Sequence, residues 1–126
     1  MGLVPGLRAD FDHTVVEQDT AVALSSGDVP VLGTPRVLAL AERATVAAVA
    51  GALGPGATTV GTRVELEHLA ATLVGATVRV AAELERVDGR KLEFAVELRD
   101  GARLAARGRV TRVLVDRDAF LATAAR

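Results

Sequence analysis

Between Val60 and Val80 the chain reads VGTRVELEHLAATLVGATVRV, and its first half alternates strictly. Thr62, Val64, Leu66 and His68 share one face while Arg63, Glu65 and Glu67 take the other, as in a strand with one buried side and one wet side. Period two returns from Ala76 to Arg86, with Val78, Val80, Ala82 and Leu84 inward, and again in Leu92, Phe94, Val96 and Leu98. Asp88-Gly89 between those runs is a strong hairpin signal, and Asp100-Gly101 marks a second hairpin before a long strand from Ala102 to about Val115. The alternation drifts near Gly108, where a bulge is expected. Upstream, ADFDHTVVE (9–17) predicts a first strand, with Phe11, His13 and Val15 on one parity and His13 at its surface or edge.

A different period separates these runs. Residues 18–33 contain SSGDVP and a closing Gly33, and predict a loop with at most one helical turn. Thr34-Pro35 then opens a helix, since a threonine hydroxyl can cap free N–H groups and proline suits the first turn. From Pro35 to about Ala52 the run PRVLALAERATVAAVAGA is apolar nearly all the way round, which predicts a buried helix. LGPGATT (53–59) is a Gly/Pro connection, LAATLVG a short link, and 116–126 a terminal helix with Asp116 or Asp118 near its start.

One strand, a buried helix and four antiparallel strands predict an α+β domain over residues 1–126. Its core, about 10–116, is a curved antiparallel sheet of about five strands wrapped round one long central helix, followed by a short segment, 117–126. Such a sheet has exposed margins that pairing between two copies would protect. A homodimer, with room for higher assembly, is therefore expected.

Composition narrows the function. With no Trp or Tyr and only Phe11, Phe94 and Phe120, the chain has no aromatic platform for stacking bases. Fifteen scattered basic residues against sixteen acidic ones leave a net charge of −1, which argues against nucleic acid as a partner. The lack of cysteine removes disulfides, thiolate catalysis and zinc–thiolate sites, and fits a cytoplasmic location. MGLVPGLRAD is too short and too broken by Pro5 for a signal peptide, and no run of about 18 apolar residues predicts a membrane span. Two dispersed histidines give no metal-ligand cluster, so no metal is expected.

Two polar residues stand where the pattern wants apolar ones. His68 ends a strand on its inward parity, and is either a hydrogen-bonded core residue or a catalytic one. Glu42 lies on the stripe Leu38, Ala41, Thr45, Val46, Val49 with no basic residue three or four positions away. Burying a lone carboxylate is costly, so another part of the molecule must answer it.

VGTRVELEHLAATLVGATVRV, the following VDGRKLEF and the earlier TPRVLALAE resemble the hotdog-fold thioesterases, and more narrowly the group typified by fluoroacetyl-coenzyme A thioesterase. The resemblance covers about residues 10–116 and implies the hotdog fold. By matched position it assigns catalysis to a threonine before the central helix, a glutamate within it and a histidine ending the next strand: Thr34, Glu42 and His68. It thus selects both misplaced polar residues. It also implies hydrolysis of a short acyl-CoA thioester at a dimer interface, with no cofactor other than the coenzyme A of the substrate. This chain departs from the pattern at Leu73, where relatives often have proline. It departs again at Gly108-Arg109-Val110-Thr111-Arg112, where they commonly carry Gly-Thr-His-Glu-Arg.

On this resemblance Glu42 would activate water or attack the carbonyl, His68 would move the proton, and Thr34 would hydrogen-bond substrate or Glu42. The N–H groups of Arg36 and Val37, at the positive end of the helix dipole, would suit an oxyanion. Thr34 and Glu42 are separated by a helical rise of roughly 12 Å and a rotation of about 80°, so a site drawing on both subunits is expected. Arg36, Arg63, Arg107 and Arg109 are available to the coenzyme A phosphates without any pattern that selects them. The alternatives are a non-catalytic hotdog dimer binding an acyl thioester or apolar ligand, and a hotdog enoyl-CoA hydratase or dehydratase.

Overall fold

The computed structural model describes residues 2–125. Strand β1 (Arg8–Thr14) leads through a single 3₁₀ turn (Glu17–Asp19) and a loop to helix α1 (Thr34–Val49). Strands β2 (Ala57–His68), β3 (Thr77–Asp88), β4 (Lys91–Asp100) and β5 (Arg103–Asp116) follow, and helix α2 (Arg117–Ala124) closes the chain. All pairings are antiparallel, in the order β1-β3-β4-β5-β2. The expected hotdog architecture is therefore present: a curved sheet holding one long helix, with β1 and β2 at its two margins.

The two central strands formed as their alternation demands. Val78, Val80, Leu84, Leu92 and Phe94 are fully buried against α1, each contributing roughly 1.5–3 kcal/mol of hydrophobic stabilisation. Both Asp-Gly turns place glycine at positive φ, Gly89 at 62° and Gly101 at 61°, a conformation that disfavours a Cβ. From the helix come Val37, Leu40, Ala41, Ala44, Ala48 and Val49. Thr45 joins them without an orphaned hydroxyl, because its Oγ1 donates to the Glu42 carbonyl at 2.6 Å. The helix is not buried all round, as its composition suggested. A single sheet covers a single side, and within one protomer Ala39, Arg43, Val46 and Ala47 remain exposed. Arg43 lies over the Phe11 ring, 4.2 Å from its centre, and screens part of that face.

Two local expectations are corrected. The bulge expected near Gly108 falls at Ala105, the extra residue of β5 between the pairs Leu98 with Ala106 and Arg99 with Leu104, whereas Gly108 itself stands in register opposite both Leu66 and Val96. Its glycine is required because β2 crosses so closely that a Cβ would run into the Glu65 carbonyl oxygen. Gly108→Ala should lower the unfolding free energy by about 1–3 kcal/mol, read as an earlier urea midpoint. An unchanged midpoint would mean the two strands separate freely there. The other correction concerns β2, whose register to β5 shifts between Gly61 and Arg63 and makes Thr62 the extra residue. Thr62 was expected on the inward face, but it is exposed. The bulge reverses parity, so Thr59 and Gly61 before it and Val64, Leu66 and His68 after it all face the helix. Asp116 caps α2 as expected, accepting from the Ala119 N–H at 2.9 Å.

Candidate active site

Two of the sheet's strands, β2 and β5, and the central helix bring two polar clusters to the β2 side of the fold. The first lies at the start of α1. Thr34 is the helix's first residue and not its cap; that position belongs to Gly33, which makes no side-chain cap. The Thr34 hydroxyl is thereby released from capping and lies 2.8 Å from His68 Nδ1. The Arg36 and Val37 N–H groups, expected to await an oxyanion, both donate to the Gly33 carbonyl at 3.0 and 3.1 Å. The strand beyond His68 is anchored by the Leu69 and Ala70 N–H groups, which share the Ala105 carbonyl at 2.8 and 3.2 Å. His68 Nε2 is buried and has no protein partner among the described residues. Burial disfavours the imidazolium and holds the His68 pKa below its ordinary value, the backbone at Ala70 opposing more weakly. His68 is therefore a neutral imidazole near pH 7, with one N–H and one lone pair to offer.

The second cluster forms two helical turns on. Glu42 carries its carboxylate over Gly61, where any Cβ would collide with Oε2. The cation that its surroundings lacked comes from β5: Arg112 Nη1 donates to Glu42 Oε2 at 3.2 Å. Arg112 is itself immobilised on β2, donating from Nε to Thr59 Oγ1 at 2.9 Å and from Nη2 to the Thr59 carbonyl at 3.0 Å. The pairing of Gly61 directly opposite Arg112 sets this up, since an inward side chain there can span both Thr59 and Glu42. Burial lowers the Arg112 pKa and the Glu42 charge raises it. The Arg112 side chain is 8% exposed and that of Glu42 33%, so the carboxylate faces partly outward from a fixed guanidinium.

Thr34 and His68 are thus brought together, whereas Glu42 stands apart from both, about 12 Å along the helix from Thr34. Arg112 was missed as a site residue although a signal existed. Ala106, Gly108, Val110 and Arg112 share one parity, and an arginine there answers a glutamate that lacks a local partner. It is also the arginine that the family's last-strand motif shares with this chain. The four arginines available to coenzyme A phosphates all have carboxylate partners: Arg36 with Asp19, Arg63 with Glu65, Arg107 with Glu67 and Arg109 with Glu85. His13, expected at a strand edge, does lie on the marginal strand β1, but its Nε2 turns to Asp19 Oδ2 at 2.7 Å.

Residues 15–118 match the family model FlK, described as fluoroacetyl-CoA-specific thioesterase. The chain is 38% identical over 90 residues to the fluoroacetyl-CoA thioesterase of Streptantibioticus cattleyicolor, a match covering 71% of this chain and 65% of that protein. The solved structure of the fluoroacetyl-CoA thioesterase FlK is 32% identical and superposes with a TM-score of 0.92, covering 98% of this chain and 96% of that one. A mutant of the same thioesterase in complex with fluoroacetate and CoA gives a TM-score of 0.87 at 32% identity, over 94% and 99% of the two chains. Fold, matched length and identity agree: the chain belongs to the FlK family of fluoroacetyl-CoA-specific thioesterases.

Proposed function

We propose that this protein is an acyl-CoA thioesterase that hydrolyses a short acyl-CoA thioester, with Thr34, Glu42 and His68 as catalytic residues. The observation that carries the proposal is the placement of a Thr34–His68 pair and an Arg112-held Glu42 along one face of the same marginal strand. Family membership, and the CoA complex of a relative, support the substrate class. Within one protomer β2 is bonded on one side only, to β5. We infer that a second copy pairs there and brings one subunit's Glu42 towards the other's Thr34–His68 pair. Among the described residues no helix is long and apolar enough to cross a membrane; a cytoplasmic homodimer is the setting we infer.

Two routes balance chemically. In one, a water held by Glu42 adds to the thioester carbonyl carbon. In the other, the carboxylate itself adds, and water then cleaves the resulting anhydride. In the first, the C–S bond breaks as the proton lost by water passes by way of His68 to the departing thiolate. In the second, the C–S bond breaks when the carboxylate adds, and the thiolate leaves as the anion. The proton released when water later cleaves the anhydride passes to His68 and on to solvent, which protonates the thiolate. A thioester and water thus leave as a carboxylic acid and a free thiol.

The test is thiol release from a panel of acyl-CoAs of increasing chain length, with His68→Ala alongside wild type. Turnover of short chains that His68→Ala abolishes supports the proposal. Binding without turnover would identify a non-catalytic hotdog dimer, and water addition to an enoyl-CoA without thiol release a hydratase. The pH dependence has a definite sign. Because neutral His68 must accept a proton, kcat/KM should be flat near pH 7 and fall as acid protonates it. The inflection should lie below the ordinary histidine value of 6.5. An inflection above that value, or one that survives in His68→Gln, would remove His68 from the proton path.

A further inference from the structure

Asp19 is a charged residue that the proposed chemistry does not use, and it is 4% exposed. It lies in the 3₁₀ turn between β1 and α1, where four separate parts of the chain converge on it. Its Oδ2 accepts from the Val16 N–H at 2.9 Å and meets His13 Nε2 at 2.7 Å. Its Oδ1 stands 3.0 Å from Arg36 Nε, and its backbone carbonyl accepts from the Gly33 N–H at 2.9 Å. Burial alone would raise the Asp19 carboxyl; the Val16 N–H, His13 and Arg36 together outweigh it and hold the carboxyl below its ordinary value.

Two of these ties bracket Thr34. Gly33 precedes it and Arg36 follows it by two residues, while α1 has no side-chain cap of its own to set the first turn. An anion at this end of the helix also complements the positive end of its dipole. We propose that Asp19 is a positioning residue: through Gly33 and Arg36 it fixes the first turn of α1 so that the Thr34 hydroxyl stays on His68 Nδ1. This rests on the thioesterase reading for its effect on rate, but not for its effect on His68 itself.

The experiment uses Asp19→Asn, Thr34→Ala and the double variant, each confirmed folded by circular dichroism. Asp19→Asn should lower kcat roughly 10- to 100-fold, the penalty of a small misplacement, with KM little changed. In the Thr34→Ala background the same substitution should add almost nothing. Only two histidines are present, so the imidazole nitrogens of both are separable by NMR. Asp19→Asn should shift the His68 Nδ1 signal, which Asp19 does not touch, towards its position in Thr34→Ala. A shifted His68 signal in a protein that hydrolyses nothing would keep the positioning role and sink the thioesterase reading. An unmoved His68 signal, or equal losses in both backgrounds, would overturn the positioning role. Should Asp19→Asn fail to fold, Arg36→Gln cuts one tie at a half-exposed position and runs through the same cycle, with the same two outcomes deciding it.

Discussion

Glu42→Gln should lower kcat/KM for acyl-CoA hydrolysis by roughly 10²–10⁴-fold, the range expected when a positioned base or nucleophile is lost. The substitution isolates chemistry from packing. Glutamine fills the same space above Gly61 and keeps an oxygen for Arg112 Nη1. An amide, however, neither takes a proton from water nor attacks a thioester under these conditions. The measurement is thiol release under saturating and limiting substrate, with the urea midpoint recorded for the same preparation. Hydrolysis retained within about threefold of wild type would exclude Glu42 from both routes and leave the Thr34–His68 pair to act alone.

How far the sequence could anticipate this arrangement depended on whether a residue's constraint was local. β3 and β4 were legible because each buries one face, so period two runs through 78–84 and 92–98 and breaks only at Glu85, the extra residue of β3 against β4, and Asp-Gly turns locate their ends. The misplaced Glu42 and His68 were legible for the same reason. What fell outside was set by partners distant in sequence. Arg112 is 70 residues from Glu42, and a strand whose parity drifts conceals which of its arginines points inward. Thr34 carries every local mark of a helix cap, yet His68 takes its hydroxyl and Gly33 takes the cap position. Thr62 looked inward because the alternation following it is regular. The bulge that makes it the odd residue is defined by β5 and leaves no trace in β2 itself.

These misses converge on one physical feature. The bulge lets one strand present Gly61 to Glu42 and His68 to Thr34 on the same side, which an unbroken period of two forbids for residues 61 and 68. An ordinary strand would have turned one cluster to the outer face. The irregular element is therefore what lets a single margin of the sheet carry both halves of the candidate chemistry, and glycine at 61 is what leaves room for the carboxylate.

Arg112→Met should produce the largest loss of stability among simple substitutions at the site, about 2–4 kcal/mol. Removing one partner of a buried ion pair typically costs 3–5 kcal/mol, and the lower range here reflects the partial exposure of Glu42. Methionine fills much of the arginine stem but leaves the Glu42 carboxylate without its cation and the Thr59 hydroxyl and carbonyl without donors. Arg112→Lys keeps the charge but cannot reproduce the guanidinium's three directed contacts, so it should fall between wild type and methionine. Urea unfolding of wild type, Arg112→Met, Glu42→Gln and the double variant separates the contributions. If the penalty comes from an uncompensated carboxylate, adding Glu42→Gln to Arg112→Met should restore part of the stability. Should Arg112→Met unfold within about 0.5 kcal/mol of wild type, the range of ordinary surface changes, Glu42 is held by solvent and the helix. If the loss persists in full in the double variant, it belongs to the unpaired Thr59 groups, and Arg112 anchors β5 to β2 without governing the carboxylate.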